Sequence, residues 1–260
     1  MKKMNFKYPS EEDLKRNPML HIEEVGECPG LSAKKYKVHR YTELVYLVSH
    51  LRFLNKEHFI LYRGESKEHL NDNTLSFLPT IFRSDSDFEE LKNKTEKLGE
   101  LEELKEFCDE NKEIVIQSFI QHYGLCKTPY LDLTQSLRIA YSMGLINAGQ
   151  ANEPREKIYV YLFALPYPCH YITNVQDITM VNLTSICPPL ALRPQLQEGY
   201  LVKYNDDRKD FNEYLLAGIE IDKKELDDSK KFAVIHTKSL LENEMDGFRN
   251  KVEEVLNKSH

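Results

Sequence analysis

Apolar residues recur every three to four positions at Leu44, Leu47, Val48 and Leu51, and this spacing predicts a helix over 41–54. The run Phe59-Ile60-Leu61-Tyr62 breaks that period. It is short and rich in strand formers, so it reads as a buried strand ending at Arg63-Gly64. Beyond a loop containing Pro79, Ser86-Asp87-Phe88-Glu89 has the capping-box pattern. A charged amphipathic stretch follows to about Asn111, its Lys and Glu residues forming a solvated face. A second helix is expected over 113–123, where Ile114, Ile116, Phe119 and Ile120 are apolar and Gly124 suits a left-handed cap. Leu137, Ala140, Tyr141, Gly144 and Leu145 predict a third, capped by Thr134 or Ser136 and running to Gly149, with an exposed loop over 148–156.

The second half of the chain changes character. Residues 158–165 are almost continuously apolar and read as a central strand, with weaker strand candidates near 178–183, 199–204, 214–221 and 232–236. Leu240, Leu241, Met245, Phe248, Val252 and Val255 predict one amphipathic helix over 238–257. Residues 1–40 are polar and interrupted by Pro9, Pro18, Pro29 and Gly30, which predicts an irregular lead-in to a single domain over 41–260. Helices dominate the first half and strands the second, so the expected class is α+β, a helical first half packed on a mixed or antiparallel sheet.

Composition narrows the functions open to such a fold. Of 260 residues, 41% are hydrophobic and 10% aromatic, enough for a real core although Trp is absent. Lys and Arg number 35 against 42 Asp and Glu, a formal charge of -7, which argues against a broad nucleic-acid surface. No apolar run approaches the roughly 20 residues of a membrane span, and the N-terminal lysines precede no apolar signal segment, so a cytoplasmic location is expected. Cys28, Cys108, Cys126, Cys169 and Cys187 are odd in number and lack a C-x-x-C pair, which fits reduced thiols and no zinc site. The histidines other than His122 are scattered without ligand spacing, so no metal is expected. No P-loop, GxGxxG or Gly-x-Ser-x-Gly element occurs.

Three segments stand apart from this background: Tyr62-Arg63-Gly64-Glu65; Gln121-His122-Tyr123-Gly124 with Thr128 and Leu131-Asp132-Leu133-Thr134; and Arg193-Pro194-Gln195-Leu196-Gln197-Glu198-Gly199. In type and order they resemble the FRG domain family, named for an aromatic-Arg-Gly triplet, although Glu65, Pro129 and Leu133 depart from its usual Gln, basic residue and aromatic. The family in turn looks like a divergent relative of the ADP-ribosyltransferase fold, which implies a split sheet and NAD as substrate without a metal. The resemblance further implies an unknown acceptor macromolecule, or water, and a setting in bacterial toxin or phage-defence systems.

Cleaving the nicotinamide–ribose bond develops oxocarbenium character, so the site needs a carboxylate beside that sugar, and Glu198 is the candidate. Arg63 offers a planar fork for the pyrophosphate, with Gly64 admitting a close backbone approach. Thr134 and Ser136 are expected to order the nicotinamide ribose and Gln197 to orient it through its amide. His122 and Tyr123 are candidates for the nicotinamide site, as is Tyr141. Structural roles stand beside these: Arg63 as an ion-pair partner of Asp132, His122 on helix carbonyls, Tyr123 and Tyr141 in the core, Thr134 as a cap. Two other classes remain open, a non-catalytic module binding a nucleotide or a protein, and a nucleotide-glycoside hydrolase pairing Glu198 with Glu65 across roughly 5–10 Å.

Overall fold

The computed structural model describes residues 4–17, 19–83, 87–104, 109–150, 156–205, 208–222, 234–235, 237–241 and 245–257. In chain order the elements begin α1 (Glu11–Lys15), β1 (Ile22–Glu27), β2 (Lys34–Val38), α2 (Tyr41–Leu54), β3 (Phe59–Glu65), β4 (Leu70–Asn71) and β5 (Thr74–Leu75). There follow α3 (Asp87–Leu98), α4 (Asp109–His122), β6 (Leu131–Thr134), α5 (Leu137–Gln150) and β7 (Lys157–Leu165). The remainder comprises β8 (Ile172–Val175), β9 (Ile178–Asn182), α6 (Leu183–Ile186), α7 (Leu192–Gln197), β10 (Gly199–Tyr204), β11 (Leu215–Asp222), α8 (Thr237–Leu240) and α9 (Gly247–Asn257). The class is α+β with a mixed sheet. The chain divides into two compact units: the first is Met1–Phe77, Thr134–Tyr167 and Asp210–His236, the second Leu78–Leu133, Pro168–Lys209 and Thr237–His260.

In the first unit β2 lies between β1, antiparallel to it, and β11, parallel to it, while β11, β7 and β3 continue antiparallel. At the end of β3, Tyr62 pairs with Thr134. Because side chains alternate faces along a strand, Tyr36, Tyr62, Val160, Leu162 and Ile219 present one face to Leu44, Leu47 and Leu51 of α2 and Ala140 and Tyr141 of α5. The opposite face of β7 meets Phe77, whose ring lies 4.8 Å from Tyr161 and 4.9 Å from Phe163. Burial on both faces is why 158–165 lacks alternation.

The contact between β3 and α5 is tight. A Cβ on Gly64 would lie 1.7 Å from the Ala140 carbonyl oxygen and 2.9 Å from the Gly144 amide nitrogen. Gly144 on the helix in turn faces the Glu65 carbonyl. The small residues therefore let helix backbone rest on strand backbone, so the close approach that Gly64 permits is made by α5.

In the second unit β8, β9 and β10 form an antiparallel meander. Its core joins Leu91 and Leu98 of α3, Val115, Ile116, Phe119 and Ile120 of α4, Val181 and Leu201 of the meander, and Phe248 and Val252 of α9. Phe119 and Phe248 stack with ring centres 5.0 Å apart.

Several expectations are corrected. Residues 1–40 are not an irregular lead-in: they hold α1, β1 and β2, and the alternation of buried Tyr36 and Val38 within KKYKV places β2 inside the sheet. The first half of the chain, although richer in helix than in strand, is not helical throughout, since β1 to β5 lie in it. The charged stretch to Asn111 is interrupted, because α3 ends at Leu98 and Gly99 turns the chain, donating to Thr95 and Glu96. The helix expected over 238–257 is two helices, α8 and α9, since Asp246 restarts the helix by accepting from the Arg249 amide. The proposed cap at Ser86 lies outside the described residues. So does most of the 232–236 strand candidate; of it, Ile235 is described and donates through its amide to Ser142 Oγ at 2.9 Å. In the 148–156 segment residues 148–150 stay helical, and 151–155 lie outside the described residues.

Candidate functional site

Arg63 and Glu65 are two apart on β3 and share a face. The Arg63 Nε and one terminal nitrogen both reach Glu65 Oε1 at 2.6 Å, and His69 Nε2 stands 3.5 Å from the other oxygen. Burial pushes the Glu65 carboxyl up, but the Arg63 charge and the His69 contact outweigh it and hold the group below its ordinary value. The Arg63 fork is thus engaged by Glu65 of its own strand. Thr134 is buried, and its hydroxyl accepts from the Ser136 amide at 3.0 Å. The Ser136 carbonyl accepts from Ala140, so both residues shape the entry to α5. Tyr141 is core.

In the second unit the other two segments converge. α4 ends in a reversal: Gly124 adopts φ +66° and the Leu125 amide bonds the Ile120 carbonyl at 2.9 Å. The returning chain brings Thr128 and Asp132 back to the helix end. Thr128 Oγ donates to Gln121 Oε1 at 2.5 Å, and the same amide's nitrogen donates to Asp132 Oδ2. The other Asp132 oxygen lies 3.5 Å from His122 Nδ1, and the buried His122 Nε2 makes no hydrogen bond. A Cβ on Gly199 would fall 3.2 Å from the imidazole Cε1, so glycine there admits the ring. His122 therefore turns to a carboxylate and to β10.

Tyr123 serves the core: it is buried, and its hydroxyl donates to Asp246, 3.1 and 2.9 Å from the two oxygens. Burial, then the Asp246 charge, pushes its phenol well above the ordinary tyrosine value. Arg193 lies over the ring, its guanidinium carbon 5.8 Å from the centre. Gln197 is buried and donates to the Leu240 carbonyl at 2.7 Å, which ties α7 to α8. Glu198 caps α7 in the left-handed conformation, φ 46° and ψ 48°, and is partly exposed. A non-glycine residue there carries strain on the order of 1 kcal/mol, and such residues concentrate at functional sites.

Asp246 is a residue the sequence reading missed. It is 3% exposed and accepts from the Tyr123 hydroxyl, the Arg193 amide at 2.8 Å and the Arg249 amide at 3.2 Å. An Asp directly before a renewed apolar period was the available signal. Asp246→Ala should cost about 3–5 kcal/mol, because it strands buried donors and removes a cap, and lower the melting temperature by roughly 10 °C. Asp246→Asn keeps an acceptor and should lose clearly less. A shift below about 2 °C for the alanine variant in a thermal melt would reject this role.

A cavity of about 960 Å³ in the first unit is lined by Phe6, Tyr8, Leu31, Asn212 and Leu215, among others, and another of about 840 Å³ in the second by Glu96, Leu101, Lys251 and Val255. Neither is lined by a residue of the three segments, and the larger has no cation or histidine in its wall. The convergent polar groups of the second unit are therefore the better candidate site. Among the described residues no group of three or more His, Cys, Asp or Glu is placed to hold a metal, and no helix is long and apolar enough to cross a membrane. Comparison with family models, curated proteins and solved structures finds no match to this chain.

Proposed function

We propose that this chain is an NAD-consuming glycosyl transferase of the FRG type, acting in a bacterial toxin or phage-defence setting. It would break the nicotinamide–ribose bond and pass ADP-ribose to an acceptor macromolecule or to water. The bond pair leaves with the nicotinamide nitrogen and neutralises its charge. The acceptor oxygen or nitrogen then bonds the ribose carbon and releases its proton to solvent.

One observation carries the reading: the second and third segments of the resemblance, far apart in sequence, meet at one place in the second unit. Asp132 meets Gln121 and His122, His122 meets Gly199, and the strained Glu198 stands next in the chain. A carboxylate at such a point suits a sugar cation. The test is incubation of the full chain with NAD labelled in its adenylate part and a cell lysate. Free nicotinamide with labelled macromolecules supports transfer, and free nicotinamide with free ADP-ribose supports hydrolysis.

Intact NAD after long incubation would reject the proposal in favour of a non-catalytic nucleotide- or protein-binding module. The internal engagements of Arg63 with Glu65 and of Gln197 with Leu240 favour that second reading.

A further inference from the structure

Buried arginines are nearly always paired with a carboxylate, since an uncompensated guanidinium away from water is costly. In the second unit the partly buried Arg193 departs from that pattern. Its Nε is buried without a hydrogen bond, and among the described residues no carboxylate oxygen lies within 4.0 Å of its guanidinium. The nearby carboxylates already have donors. Asp132 takes Gln121 and faces His122, and Asp246 takes the Tyr123 hydroxyl and the backbone amides of Arg193 and Arg249. The neighbouring cation Arg249 is directed to Glu253 and the Leu241 carbonyl. Burial pulls the Arg193 pKa down, and the Asp132 charge opposes it. His122 Nε2, in the same cluster, is a second buried nitrogen without a partner.

We propose that Arg193, with His122, forms an anion site in the second unit that takes the phosphate groups of a nucleotide diphosphate. Its guanidinium carbon lies 5.8 Å from the Tyr123 ring centre, within cation–π range, and its planar fork offers terminal nitrogens that can bind two phosphate oxygens. The assignment moves the pyrophosphate contact away from Arg63. It rests on the NAD reading only for the rest of the ligand, because an anion site stands without glycosyl chemistry.

The experiment is calorimetric titration of the full chain with ADP and, separately, inorganic pyrophosphate, alongside thermal melts. Wild type should bind ADP, Arg193→Gln should bind it about 10- to 100-fold more weakly, and Arg193→Lys should recover only part of the loss. Arg63→Lys should stay within about threefold of wild type. Arg193→Met should raise the ligand-free melting temperature, because it removes a partly buried cation whose Nε has no hydrogen bond while keeping apolar contact with Tyr123. A purely structural arginine predicts the opposite shift.

Unchanged ADP affinity in a folded Arg193→Gln, a lowered melting temperature in Arg193→Met, or no binding of either probe by wild type would each overturn the assignment. ADP binding that depends on Arg193, with NAD left intact, would uphold the anion site while removing the glycosyl-transfer reading. NAD consumption with an unchanged KM in Arg193→Gln would do the reverse.

Discussion

Glu198→Gln is expected to lower NAD consumption by about 10²- to 10³-fold while leaving the melting temperature and most of the NAD affinity unchanged. The amide keeps the shape of the side chain and one acceptor oxygen but loses the charge that stabilises a sugar cation, so the loss should fall on kcat. A companion substitution separates this role from a structural one. Glu198 caps α7 at φ 46° and ψ 48°, a conformation that glycine adopts without penalty. Glu198→Gly should therefore hold or raise stability, by up to about 1 kcal/mol, while losing as much turnover as the glutamine variant. Stability gained with activity lost marks a residue placed for chemistry at a cost to the fold. A glutamine variant that releases nicotinamide at the wild-type rate would remove Glu198 from the mechanism.

Gly64→Ala is expected to destabilise the first unit by about 4 kcal/mol or more, near the upper end for a single methyl group. The added carbon would sit 1.7 Å from the Ala140 carbonyl oxygen, and that atom belongs to helix backbone. Truncating Ala140 cannot relieve the clash, so α5 must lift from β3 or β3 must leave its pairing with β7 at Val160. Chemical denaturation reads the result directly, and a loss under about 1 kcal/mol would show that α5 does not rest on Gly64. The substitution also bears on the meaning of the triplet. Tyr62 faces the core and Gly64 accommodates a helix, so two of its three residues have packing explanations that require no ligand.

Much of this was legible in the chain because it depends on near neighbours. The 3.6-residue period of Leu44, Leu47, Val48 and Leu51 located α2 to its end residues, and the unbroken apolar run located β7. Gly124 was readable as a left-handed cap, since a reversal needs a residue tolerant of positive φ. The ion pair of Arg63 with Glu65 was also within reach, because residues two apart on a strand face the same way. Weaker local signals failed: β2 is five residues between the Pro29-Gly30 turn and α2, and a break inside an apolar period is invisible until its cap is seen.

The sequence by itself determined the α+β class and the strongest helices and strands, because propensity, periodicity and turn chemistry act over a few residues. Only the tertiary structure decided what those segments contact. It placed Asp132 against Gln121 and His122, committed Gln197 to Leu240, brought Asp246 to Tyr123 across 123 positions, and left the buried Arg193 Nε without a hydrogen bond among the described residues. Burial and the pairing of charges depend on which distant residues the packed core brings together, and no local pattern encodes that.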